Sequence, residues 1–165
     1  MNNQTYNPSI KFLLARILTI ADVGIYLEYL RKIEMILYNA NINVAEELSV
    51  ILPHDVKESF LSIVHGSGID MRDSQALHLL ILDIKNKIQG IPVMGLTLAY
   101  DPTEKDLRDF SSFLFTNIGM QIIFHVIRDE SILGGCKIEF AGRIADYTLK
   151  KELDQYSFGF QTGQM

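Results

Sequence analysis

Residues 128–153 read RDESILGGCKIEFAGRIADYTLKKEL, and this stretch decides the fold. Two short segments of strand character, Lys137–Phe140 and Arg143–Ala145, flank Ala141-Gly142, which predicts a tight hairpin. Gly134-Gly135 stands just before it, where glycine permits positive φ or close backbone approach at a sharp bend. Asp146 directly precedes a charged amphipathic helix expected from about Thr148 to Tyr156. With Thr148 it can accept hydrogen bonds from the free N–H groups of that helix start. The stretch holds no nucleophile–base pair, phosphate cradle or metal cage. It reads as compact scaffolding with a docking surface.

On its N-terminal side the same character continues. Val93–Tyr100 is an apolar strand candidate, and Asp101-Pro102-Thr103 turns into a helix cap with Asp106 at the third helical position. Leu107, Phe110 and Leu114 supply that helix's inner face, Gly119 closes it, and Met120–Ile127 reads as a second strand. The order β-α-β-β-β-α predicts a small mixed sheet with helices packed on it.

Before Gln89–Pro92 the period is helical throughout. Asn7-Pro8 suits a helix start, and Ile10, Leu13, Leu14, Ile17 and Ala21 recur at helical spacing. Gly24 is expected to break that helix, and Tyr26, Leu30, Ile33 and Leu37 mark a second. Asn43 with Glu46 resembles a capping box for a short third helix. Pro53 restarts the chain into a fourth, with Val56, Phe60, Ile63 and Val64, stopping at the HGSG of residues 65–68. A fifth is capped near Asp70 or Asp73 and carries Leu77, Leu80, Ile81, Ile84 and Ile88. The expected class is therefore α+β: an all-helical bundle over 1–90, a small β-α-β-β-β-α domain over 91–157, and a tail over 158–165 with Phe158 and Phe160.

Of the 165 residues, 48% are hydrophobic and 21% charged, enough apolar content for a core. The net charge of −5 is spread evenly, so the basic face that nucleic acid requires is missing. The single cysteine, Cys136, excludes an internal disulfide and reads as a small buried residue. The start MNNQTYNPS lacks the features of a secretory signal, and no apolar run reaches the length of a membrane span.

Each candidate site of chemistry in the chain has a plainer reading. His54, His65, His78 and His125 show no metal-ligand spacing, and His125 reads as a satisfied structural side chain. His65-Gly66-Ser67 is similar to an esterase oxyanion loop, but the chain has no GxSxG turn, so a helix terminator is expected. Gly134-Gly135 lacks the lysine and hydroxyl of a phosphate loop. Asp101, Glu104, Asp106 and Asp109 lack the order of a calcium loop and suit a helix start. No catalytic, cofactor or metal residue is expected.

Ser131, Gly134-Gly135, Asp146, Thr148 and the closing Leu153, with VMGLTLAYDPTEKDLRDF upstream, resemble the C-terminal signature of the delta subunit of F-type ATP synthase, the oligomycin-sensitivity-conferring protein family. The likeness covers about the last 70 residues well and the helical part by pattern. Departures are Glu130 for the family's usual Pro, Tyr147 for its Gly, and Lys150-Lys151. The resemblance implies a non-catalytic stator connector, peripheral to the cytoplasmic face of a bacterial inner membrane. Its partners would be the alpha-subunit N-termini, gripped by the helical domain, and the C-terminal end of the b subunit. Candidate anchors for the head are Leu14, Ile17, Leu77 and Ile81, by helix-in-groove recognition. Phe110, Phe113 and Phe115 cover more than one face of their helix and are candidate stalk contacts. The alternative is a small metabolite-binding regulatory module with a ferredoxin-like sheet. A hydrolase using Ser67 is the third reading.

Overall fold

The computed structural model describes residues 8–38, 44–151 and 153. The chain divides into two compact units, Met1–Ile17 with Ala21–Ile91, and Leu18–Ile20 with Pro92–Met165. The described residues combine helices with a four-stranded mixed sheet, an α+β architecture.

The first unit holds α1 (Pro8–Leu14), most of α2 (Ile20–Leu37), α3 (Val44–Ile51), α4 (His54–Gly66) and α5 (Ser74–Gln89). Each inner face is the apolar stripe of its helical repeat: Ile33 on α2, Leu48 on α3, Ile63 and Val64 on α4, and Leu77, Ile81 and Ile84 on α5 are at most 1% exposed. Asp73 is the cap of α5, its carboxylate accepting from the Ala76 N–H at 2.9 Å. Asp70 instead accepts from the Arg72 N–H in the preceding turn. Across the unit, the Lys85 ammonium reaches Glu34 at 2.5 Å, and Arg16 pairs with Asp55. The expected caps Asn7 and Asn43 lie outside the described residues.

Helical periodicity misplaced one boundary. The pattern runs through Ala21 and predicts a break at Gly24, yet α1 ends at Leu14, α2 begins at Ile20, and Gly24 sits inside α2. A glycine inside a helix costs about 1 kcal/mol against alanine, too little to end one that its neighbours hold. The break falls instead where Leu18 and Thr19 join the sheet of the second unit. The Phe124 N–H donates to the Leu18 carbonyl at 2.7 Å, and Thr19 forms a parallel bridge to Phe124.

That sheet has the order β2-β1-β3-β4, from β1 (Val93–Leu98), β2 (Ile123–Arg128), β3 (Cys136–Phe140) and β4 (Arg143–Asp146). β1 and β2 are parallel and joined through α6 (Glu104–Ile118); the other pairs are antiparallel. Registers Met94↔Phe124 and Leu96↔Ile138 place alternate residues on one face. There Leu18, Met94, Leu96, Ile122 and Phe124 meet Leu107 and Leu114 of α6 in a single buried cluster. Phe110 stacks on Phe124, ring centroids 5.4 Å apart.

The ends of α6 are encoded locally. The Asp106 N–H donates to Thr103 Oγ1, and the Asp106 carboxylate accepts from the Thr103 N–H at 2.9 Å, a full capping box. Gly119 ends it in the left-handed conformation at φ 75°. The β3–β4 turn has positive φ at both Ala141 (50°) and Gly142 (73°), the pattern whose twist matches the flanking strands. Helical structure resumes at residue 149; beyond 153, including the tail over 158–165, the chain lies outside the described residues.

Candidate functional site

Gly134, Gly135, Asp146 and Thr148, separated in sequence, meet in one hydrogen-bonded knot where the hairpin passes into the residues after β4, and Ser131 lies in the turn that leads into it. In that preceding turn Asp129 accepts from the Ser131 N–H at 2.9 Å and hydroxyl at 2.6 Å. Asp146 repeats the geometry at the other end, accepting from the Thr148 N–H at 2.9 Å and hydroxyl at 2.7 Å. Between them, the Leu149 N–H donates to the Gly134 carbonyl and the Tyr147 N–H to the Cys136 carbonyl. Thr148 is 4% exposed, so its hydroxyl has to be satisfied inside the protein, and Asp146 does so.

The two glycines have separate reasons. At Gly135, with φ 82°, an added Cβ would stand 2.1 Å from the Tyr147 carbonyl oxygen and 3.0 Å from Thr148 Cα. At Gly134 it would meet Leu149 Cδ1 at 2.7 Å, the movable end of a side chain. Tyr147 itself is accommodated because its ring is exposed and its carbonyl alone faces the glycine.

Hydrogen bonds from Thr148 hold the Asp146 carboxyl below its ordinary value of 3.8, those from Ser131 do the same for Asp129, and those from Thr103 for Asp106. A folded value below the unfolded one means these bonds contribute fully above about pH 3.8 and are lost as pH falls through the folded values. The denaturation midpoint should therefore drop in that acid range. Asp146→Asn should flatten part of the drop when midpoints are measured from neutral pH to about pH 2. An unchanged profile would mean that the Asp146–Thr148 bonds contribute nothing to folding.

The acidic residues around the start of α6 are paired. Asp101 pairs with Arg128 at 3.1 Å, Asp109 with Lys105 at 2.7 Å, and Glu104 with Arg108. His78 lies 3.9 Å from Glu34, and His125 is exposed on β2. Among the described residues no group of three or more His, Cys, Asp or Glu is placed to hold a metal ion. Burial, then the Asp146 charge, pushes the Cys136 thiol up, away from thiolate reactivity. His65-Gly66-Ser67 terminates α4: the Ser67 N–H donates to the Ile63 carbonyl at 2.9 Å, and Gly68 follows at φ 67°.

The residues expected to face partners fall into two groups. Leu14, Ile17, Leu77 and Ile81 are at most 5% exposed, so in this conformation they are core residues. The exposed apolar side chains on the same two helices are Phe12 on α1 and Leu79 and Leu82 on α5. On α6, Phe110 turns inward onto Phe124, whereas Phe113 and Phe115 are 59% and 44% exposed. Ile118 and Met120 are also exposed, so the C-terminal half of α6 presents apolar surface. The inner face Leu107, Phe110 and Leu114 was readable from helical spacing, and it is the face packed on the sheet.

These features define an α+β protein whose described residues carry exposed apolar helix faces and a hydrogen-bonded structural knot. The profile of the family described as ATP synthase delta (OSCP) subunit matches residues 77–158, from α5 through the knot. ATP synthase subunit delta of Thermosipho africanus (strain TCF52B) is 26% identical over 113 residues, covering 67% of this chain and 60% of that protein. The chain belongs to the ATP synthase delta (OSCP) family. It spans 60% of the length of that curated relative. Among the described residues, no helix is long and apolar enough to cross a membrane.

Proposed function

We propose that this protein is a non-catalytic connector in the peripheral stalk of a proton-translocating F-type ATP synthase, joining the catalytic head to the b-subunit stalk. The observation that carries this reading is the family match over residues 77–158, which includes every residue of the knot. A connector under torque requires stiffness. The closed hydrogen bonds around Gly134, Gly135, Asp146 and Thr148 supply it locally. In this reading the first unit receives the N-terminal helices of the alpha subunits on α1 and α5. Leu14, Ile17, Leu77 and Ile81 are core residues that fix α1 and α5 within the first unit, and Phe12, Leu79 and Leu82 make the contact. The second unit receives the C-terminal end of the b subunit on α6. Phe113 there is the contact residue, and Phe110 fixes the helix to the sheet. The protein works at the cytoplasmic face of a bacterial inner membrane, held there through its partners.

The test is co-purification of the tagged full-length chain from native membranes, with Phe113→Asp/Phe115→Asp and Leu79→Asp/Leu82→Asp variants alongside. Both pairs are exposed, so the fold should survive. Wild type should recover alpha, beta and b subunits. The α6 variant should lose b, by at least about tenfold in affinity, and the α5 variant should lose the head. Recovery of only further copies of the chain would overturn the connector and support the metabolite-binding module.

A further inference from the structure

β4 (Arg143–Asp146) is the last strand of the sheet, and among the described residues no strand pairs with its outer side. The edge at β2 is different, since Thr19 bridges to Phe124 there. The Tyr147 N–H donates to the Cys136 carbonyl, and bonded and unbonded pairs alternate along an antiparallel ladder. Arg143 and Ala145 therefore turn their backbone groups toward β3, and those of Ile144 and Asp146 point outward. Such a row is a template for the addition of another strand.

The side chains along this edge have a definite chemistry. Ile138 and Phe140 of β3 pack against the cluster under α6, so Glu139 and its partner Ile144 lie on the other face. Ile144 is 72% exposed, and Tyr147 just beyond it is exposed as well. Around them the charge is basic. Residues 131–151 hold Lys137, Arg143, Lys150 and Lys151 against Glu139 and Asp146, a net +2 in a chain of net −5. The Asp146 carboxylate is engaged by Thr148, whereas Arg143 and Lys150 are exposed and have no side-chain partner among the described residues. A second copy meeting this edge about a two-fold axis would bring the same cations to it, so the charge disfavours self-pairing.

We propose that the outer edge of β4 docks an extended segment of a partner protein in which acidic residues alternate with apolar ones. The segment adds to the sheet beyond β4, its backbone bonding to Ile144 and Asp146. One apolar side chain lies beside Ile144, and the acidic neighbours on the opposite face meet Arg143. The site is separate from α6 and does not depend on what binds there.

Nuclear magnetic resonance of the isotope-labelled full chain tests this, with a short synthetic peptide alternating glutamate and isoleucine and a second alternating lysine and isoleucine. In the free chain the Ile144 and Asp146 amides should exchange at least about tenfold faster than those of Arg143 and Ala145. The glutamate peptide should shift and protect the Ile144 and Asp146 amides, and bind at least about tenfold more tightly than the lysine peptide. Arg143→Glu should narrow that preference about fivefold. Ile144→Pro removes an outward N–H and none of the bonds to β3, and should weaken binding about tenfold. Slow exchange at Ile144 in the free chain would overturn the site, because the edge would already be paired. So would equal responses to the two peptides, no response at these amides, or binding that both variants leave unchanged.

Discussion

Gly135→Ala is expected to destabilise the second unit by about 3 kcal/mol or more. Two costs add. At φ 82° an alanine is strained by about 1 kcal/mol or more whatever surrounds it. The new Cβ also arrives 2.1 Å from the Tyr147 carbonyl oxygen, and backbone cannot swing aside as a side-chain tip does. Moving it pulls on the Tyr147–Cys136 and Leu149–Gly134 bonds together. Gly142→Ala is the control: φ is 73° but nothing lies within 4 Å of the added carbon, so strain acts alone at about 1 kcal/mol. Denaturant titrations of both variants, read by circular dichroism and by exchange at β3 and β4 amides, separate the two costs. Equal losses would mean that the close approach to Tyr147 is unimportant.

Phe124→Ala should cost about 3–5 kcal/mol, the range for emptying a buried phenylalanine site. Phe124 has no exposed surface and stands on β2 beside Met94. Its ring is stacked on Phe110, and Leu18, Leu107 and Leu114 belong to the same cluster. The cavity would open between sheet and α6, and rigid strands limit how far the walls can close. Phe124→Leu, which keeps most of the volume, should lose much less. Chemical denaturation of both variants gives the comparison; a Phe124→Ala loss under about 1 kcal/mol would mean the cluster is not the core of this unit.

What was legible in the sequence depended on how local its cause was. The α6 capping box, its closing Gly119, the Asp73 cap and the Ala141-Gly142 turn each act within a few residues, so they could be read directly. Asp146 as an acceptor of nearby N–H groups was legible for the same reason, but Thr148, expected to be a fellow acceptor, is instead its donor. Which face of β2 His125 would occupy was not legible, since its place on a strand says nothing about which face is covered. Nor could the sequence tell that Leu14, Ile17, Leu77 and Ile81 would be core, because an apolar stripe looks the same whether its own bundle or a partner covers it.

From the residues alone followed the class, the helix and strand order, the hairpin, and the expectation that the glycine pair marks a tight approach. Three-dimensional packing alone decided the rest. It broke the helical repeat at Leu18–Thr19 and set the Tyr147 carbonyl against Gly135. The physical reason is range. Caps, turns and periodicity are settled by neighbours a few residues away, whereas Leu18 and Phe124 meet across more than a hundred residues, where no local preference specifies the partner.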